Sequence, residues 1–239
     1  MTYSIGIIHF SQLSLAFIPV LCVLLIFIRW SLSIKQAVYA LLRMFSQLLL
    51  IGYTLAFIFD TENSYVILGI LFFMCLTSSW IALGTVADNR LQLYQYALLA
   101  ISLGGGLTLL LITQGTLQLT PWYTPHYMVP IAGMIFANSM NSVSLAAERL
   151  QAEIKHQDSF TSARNKAFQA AMIPVVNSLF AVGLVSLPGM MTGQILSGTE
   201  PFIAARYQIM VMAMVFGSSG LSTAIYLLCM RRFYTPLTL

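Results

Sequence analysis

The chain is 239 residues long, 59% hydrophobic and only 8% charged, with a mean hydropathy of +0.85. Soluble domains carry roughly a quarter of their residues charged, so this composition excludes an ordinary water-soluble enzyme and places the chain in lipid. The 11 Lys+Arg and 7 Asp+Glu give a formal charge of +4, but the basic residues are scattered between apolar runs and form no dense patch, which argues against a nucleic-acid partner.

A helix rises about 1.5 Å per residue, so a hydrocarbon core of roughly 30 Å asks for about 20 apolar residues. Runs of about that length lie at residues 10–28, 41–59, 65–83, 91–112, 127–147, 167–187 and 207–230. None alternates in polarity as a barrel strand would. The predicted fold is therefore all-α and integral to the membrane, with about seven transmembrane helices in a single transmembrane domain spanning 1–239. The first run has no basic residue before Arg29 and no small-x-small pattern after it, so it is expected to remain as a helix rather than be removed as a signal peptide. Cys22, Cys75 and Cys229 each sit inside an apolar run with no metal-binding spacing and read as small buried hydrophobes.

An outside amino terminus puts Arg29, Lys35, Arg43, Arg90, Arg149, Lys155, Arg164, Lys166, Arg231 and Arg232 on the cytoplasmic side and leaves Arg206 outside. Positive charge resists translocation, so this orientation, with a cytoplasmic carboxy terminus, is the expected one. Following the first run, Ile34, Val38, Leu41, Leu42 and Phe45 recur at helical spacing while Lys35, Tyr39 and Arg43 line another face. The pattern predicts an amphipathic elbow helix along the inner leaflet, with a plain extension of the second span as the alternative.

Residues 148–166 form the long hydrophilic stretch between the fifth and sixth runs, with charges of both signs and neither Gly nor Pro. They predict a projecting helix or helical hairpin suited to docking a soluble partner through Arg149, Lys155, His156 and Asp158, or else a solvated connector. Asn138 and Asn141 lie three apart in the fifth run, and Asn177 and Ser178 lie in the sixth. An amide in hydrocarbon needs a protein partner or a wet cavity, so these four are candidates for a substrate pathway or for interhelical packing. Pro130 and Pro174 interrupt the same runs and permit kinks.

Residues 186–201, S-L-P-G-M-M-T-G-Q-I-L-S-G-T-E-P, are too apolar for a free loop yet rich in helix breakers. Pro188-Gly189 is expected to end the sixth span and Gly198 with Pro201 to frame the seventh, leaving a re-entrant or lid-like element at the external face. Met190, Met191 and Gln194 on it are further pathway candidates. No catalytic constellation is visible: His9, His126 and His156 are dispersed, no Gly-rich loop precedes a Lys as GxxxxGK[ST] requires, and no carboxylate sits mid-span. The chain does not read as an enzyme: no catalytic residue, no metal-ligand cluster and no cofactor of its own are expected.

The stretch A-A-M-I-P-V-V-N-S-L-F-A-V-G-L-V-S-L-P-G-M-M-T-G-Q-I-L-S-G-T-E-P-F-I-A-A-R-Y-Q-I-M-V at 170–211, together with V-P-I-A-G-M-I-F-A-N at 129–138 and R-M-F-S-Q-L-L-L-I-G-Y at 43–53, resembles the FetB-type iron-efflux permeases, a family that includes plant aluminium-tolerance membrane subunits. The resemblance implies the membrane subunit of an ABC transporter in the inner membrane. It would work as a pair of copies with two ATP-binding subunits that carry ATP and Mg, and would export iron or another metal ion. It also makes 148–166 the docking segment for the ATPase. The chain differs from the family's usual pattern in lacking a Gly-Ala-Ser/Thr-Pro turn in that segment, and in having Asn177 and Phe180 where some members have an acid and a lysine. The readings in other classes are an ATP-independent secondary carrier, and a membrane scaffold or sensor without transport.

Overall fold

A computed structural model describes residues 10–61, 63–86, 90–156 and 159–234. These form nine α-helices and one π-helical turn, and they fall into two compact units, 1–60 and 61–239.

The first unit holds α1 (Phe10–Leu15), α2 (Ile18–Arg29) and α3 (Ile34–Phe59). Pro19 near the start of α2 suits the first helical turn, where its missing N–H is not needed. Pro19, Val23 and Phe27 of α2 line an apolar groove together with Ala37, Leu41 and Met44 of α3. No residue of α2 is buried, and Leu21, Leu25, Leu48 and Leu49 lie open on the surface, as lipid-facing side chains do. The amphipathic stretch after residue 33 is not a separate elbow. It is the first part of the continuous 26-residue α3, because no Gly or Pro interrupts residues 34–51.

The second unit contains α4 (Ser64–Ala82), α5 (Arg90–Leu110) continued by the π-helical turn Leu111–Thr116, α6 (Pro125–Lys155), α7 (Phe160–Ala181), α8 (Gly189–Leu196) and α9 (Pro201–Tyr234). Asn63 caps α4 by accepting the Tyr65 N–H at 2.9 Å, and Ser159 caps α7 by accepting the Ser162 N–H at 3.4 Å. The central helix is α9, which packs against α5, α6, α7 and α8. Tyr226, Ile67, Leu83, Leu93, Ile101 and Ile135 are the bulkiest fully buried side chains.

Point contacts set the directions. Tyr96 meets Phe233 edge to face while Gly104 lies against Ser222, so α5 is antiparallel to α9. Tyr127 and Tyr207 share a cavity and Ser139 bonds Ser218, so α6 is parallel to α9. Asn165 approaches Leu228 while Leu179 approaches Gln208, so α7 runs back up. This gathers Arg90, Arg149, Lys155, Arg164, Lys166, Arg231 and Arg232 at one end of the unit and leaves Arg206 near the other.

Six segments of the described residues are long and apolar enough to cross a membrane: Gln12–Arg29, Ile34–Leu55, Ser64–Ala82, Arg90–Thr116, Pro125–Lys155 and Pro201–Tyr234. The expected sixth run, 167–187, is not a single helix of that kind. Helix α7 begins at Phe160 and carries Arg164, Asn165, Lys166 and Gln169 in its first half, which leaves an apolar stretch at 170–181 of only about 18 Å. It also stops before Pro188-Gly189. Val182 leaves the helix with ψ 129°, Gly183 takes φ +82°, and the N–H groups of Val185 and Ser186 fold back to the Ala181 carbonyl at 2.8 and 3.1 Å. A side chain is strained at such a φ, so Gly183 is the true breaker.

Candidate functional site: a capped cavity above a seam of hydroxyls

The segment 186–201 does contain a distinct element. Helix α8 starts after Pro188, whose backbone is extended, and ends before Gly198 at φ +95°. Thr192 Oγ1 donates to the Pro188 carbonyl at 3.1 Å and tightens its first turn. Met190 and Gln194 are one turn apart and therefore share a face. That face closes a cavity of about 330 Å³ whose other walls are Tyr127, Pro130 and Met134 of α6 and Tyr207 and Met210 of α9. Met191 points to the other side, into an apolar cavity of about 480 Å³ against Leu179, Gln208, Met212 and Phe216. One polar atom in each is unusual: Gln194 Oε1 and Gln208 Oε1 are buried without a hydrogen-bond partner among the described residues. A buried unpaired acceptor costs on the order of 1–3 kcal/mol, so each is a place where a ligand or water improves the structure.

Toward the basic end, the contact between α6 and α9 becomes a seam of hydroxyls. Ser139, five residues past Met134, donates to the Ser218 carbonyl at 3.2 Å, and Ser222 Oγ donates to Ser139 Oγ at 3.2 Å. Ser218, Ser219, Ser222 and Thr223 are fully buried, and Ser219 Oγ and Thr223 Oγ1 lack partners among the described residues. This seam is possible because Gly104 of α5 has no side chain: a Cβ there would lie 2.5 Å from Ser222 N. Small residues that let helix backbones approach and hydroxyls that bond across the gap are the usual means of packing in lipid.

The pathway candidates separate on this frame. Met190 and Gln194 come together in one cavity and Met191 lines its neighbour. Asn138 donates to the Met134 carbonyl of its own helix at 2.8 Å. Asn141, Asn177 and Ser178 are exposed on the surface of the single chain, and the Ser178 hydroxyl is satisfied by the Val175 carbonyl at 2.7 Å. Sequence reasoning passed over the seam. The signal was available in G-S-S-G-L-S-T-A at 217–224, where Ser218/Ser222 and Ser219/Thr223 repeat at i, i+4, but hydroxyls that can bond their own helix draw less attention than amides.

At the basic end, Glu153 is buried and joins α6 to α7. It pairs with Arg149 at 2.5 Å and with Lys166 at 2.8 Å. Of the docking candidates, Arg149 is thus engaged on the clamp, Lys155 and His156 are exposed at the end of α6, and Asp158 lies outside the described residues.

Residues 10–234 match the model of the Uncharacterised protein family (UPF0014). The chain belongs to this family. Among UPF0014 relatives it is 34% identical to the UPF0014 membrane protein slr1647 of Synechocystis, over 79% of this chain and 78% of the relative. It is 34% identical to the Escherichia coli protein named "Probable iron export permease protein FetB", over 93% and 91%. It is 33% identical to Protein ALUMINUM SENSITIVE 3 of Arabidopsis thaliana, over 92% and 85%. No solved structure matches. The resemblance seen in the sequence is therefore real across most of the chain, and this UPF0014 member is a multi-pass membrane protein related to a named permease.

Proposed function

We propose that the chain is the membrane-spanning permease subunit of an ABC-type exporter of metal ions, acting in the inner membrane as a pair of copies with a separate ATP-binding subunit. The observation that carries this reading is that α6 and α9 share both the cavity capped by α8 and a seam of buried hydroxyls, in a membrane bundle 34% identical to a protein named a probable iron export permease. Polar groups buried at membrane depth are costly and mark pathways. The sequence has no nucleotide-binding loop, so in this reading ATP is bound and hydrolysed on another chain.

In this reading the basic end is cytoplasmic, in keeping with the inside excess of Lys and Arg, and α8 closes the pathway on the outside. The α6–α7 hairpin, held by Glu153, receives the ATPase, with Lys155 and His156 as the exposed cations of the docking face. The test is purification in mild detergent of the wild-type chain beside a Lys155→Glu/His156→Glu variant. An ATP-binding subunit retained by the first and lost by the second is the expected result. No nucleotide-binding partner, together with metal release that follows an ion gradient without ATP, overturns the ABC reading in favour of a secondary carrier.

A further inference from the structure

We propose that the cavity beneath α8 is a binding site for a soft monovalent cation, Cu(I) being the reference ion. The site's place in a transport cycle rests on the permease reading above. The binding chemistry rests on the side chains alone.

Three methionines line the cavity from three different helices: Met134 from α6, Met190 from α8 and Met210 from α9. They differ from the packing methionines of the unit. Met214 and Met230 are fully buried in the core, whereas Met190 is 36% exposed and Met134 and Met210 are partly exposed, with the cavity beside them. Thioether sulfur is a soft, neutral donor that selects Cu(I) over harder first-row ions. The imidazole of His126 also lines the cavity and is a ligand type that copper accepts, and Gln194 supplies a further donor on the same wall, an amide oxygen that is buried and has no partner among the described residues. A cation or its water would satisfy that oxygen.

Charge narrows the class further. Among the described residues no carboxylate or thiolate lines the cavity, so nothing anionic there offsets a bound ion. The cost of transferring an ion into a low-dielectric site rises with the square of its charge, so a divalent ion is penalised about fourfold more than a monovalent one. Hard cations that depend on anionic oxygen ligands fit this wall poorly.

The test is anaerobic titration of the purified chain in detergent with Cu(I), held by a chromophoric competing chelator. One equivalent is expected to bind. Met134→Leu, Met190→Leu and Met210→Leu should each weaken affinity about tenfold or more, on the scale of lost metal-site contacts, and the triple variant should abolish binding. Leu conserves volume, so folding is kept, as an unchanged gel-filtration profile verifies. Met214→Leu, outside the cavity, should bind as wild type, and Fe(II) and Mn(II) should not compete. Wild-type affinity in the triple variant, equal weakening by Met214→Leu, or effective competition by Fe(II) each overturns the site. If binding behaves as expected but vesicles never release Cu(I) with ATP, the permease reading fails and the site stands. ATP-driven release of Fe(II) without any Cu(I) binding removes the site alone.

Discussion

Replacing Gly104 by Ala tests the contact on which the hydroxyl seam depends. The added Cβ would fall 2.5 Å from both the Ser222 N and Oγ and 2.8 Å from its Cα, while ordinary non-bonded contacts begin near 3.5 Å, so α5 and α9 must part by about 1 Å. Two of the three opposing atoms are backbone, which no rotamer change can relieve. Overpacking of this kind costs about 1–3 kcal/mol. The same substitution also raises helix propensity by up to ~1 kcal/mol, and this gain would blur the result if Gly104→Ala were measured alone. Gly106, two residues on, has nothing within 4 Å of its would-be Cβ and gains the same propensity without the clash. The difference between the two variants therefore isolates the steric cost, and Gly104→Ala should be about 1–3 kcal/mol less stable than Gly106→Ala. Unfolding in mixed micelles with increasing dodecyl sulfate, followed by Trp fluorescence, measures both. Equal stability of the two variants would refute the close approach of α5 and α9.

Breaking the Ser139–Ser222 pair by single and double Ala substitution should show a coupling of about 0.6 kcal/mol in the same micelles, the average for interhelical hydrogen bonds in membrane proteins; a coupling of zero would remove the seam as an energetic unit. Glu153→Ala should loosen the α6–α7 hairpin by about 1 kcal/mol, because Arg149 and Lys166 are roughly half exposed and their pairing is screened. Faster amide exchange confined to the hairpin residues checks this. Cys75 is buried and Cys22 exposed, so a membrane-permeable maleimide should modify Cys22 well before Cys75 in the folded chain, and equal rates would contradict the packing of α4. In a chain with its three native cysteines replaced by Ala, Ser197→Cys should react only from the outside and His156→Cys only from the cytoplasm; the reverse pattern would invert the proposed orientation.

Membrane residence and most of the helices were legible in the sequence because a span is a local property: length and apolarity decide it. The departures arose where local signals compete. Residues 167–187 look like one span by mean apolarity, yet the charges of the first half of α7 and the positive φ of Gly183 divide that length between α7 and α8. Met190 and Gln194 could be singled out because breakers isolate them, but their meeting with Met134 and Met210 depends on the parallel course of α6 and α9, which no single segment encodes. The asparagines stood out as the most polar atoms in the apolar runs. Burial was decided instead by which face each helix turns to α9, and that face carries serines.

Helix α6 joins the two ends of the second unit as one rod. From Glu153 to Met134 it spans about 28 Å without a proline, so a tilt imposed at the clamp reaches Met134 with little loss. Pro130 lies just beyond, inside the same helix, and contributes no backbone N–H to it. Met134 and Tyr127, on either side of this proline, both line the cavity, so the wall that α6 contributes lies at the end of the rod opposite the clamp.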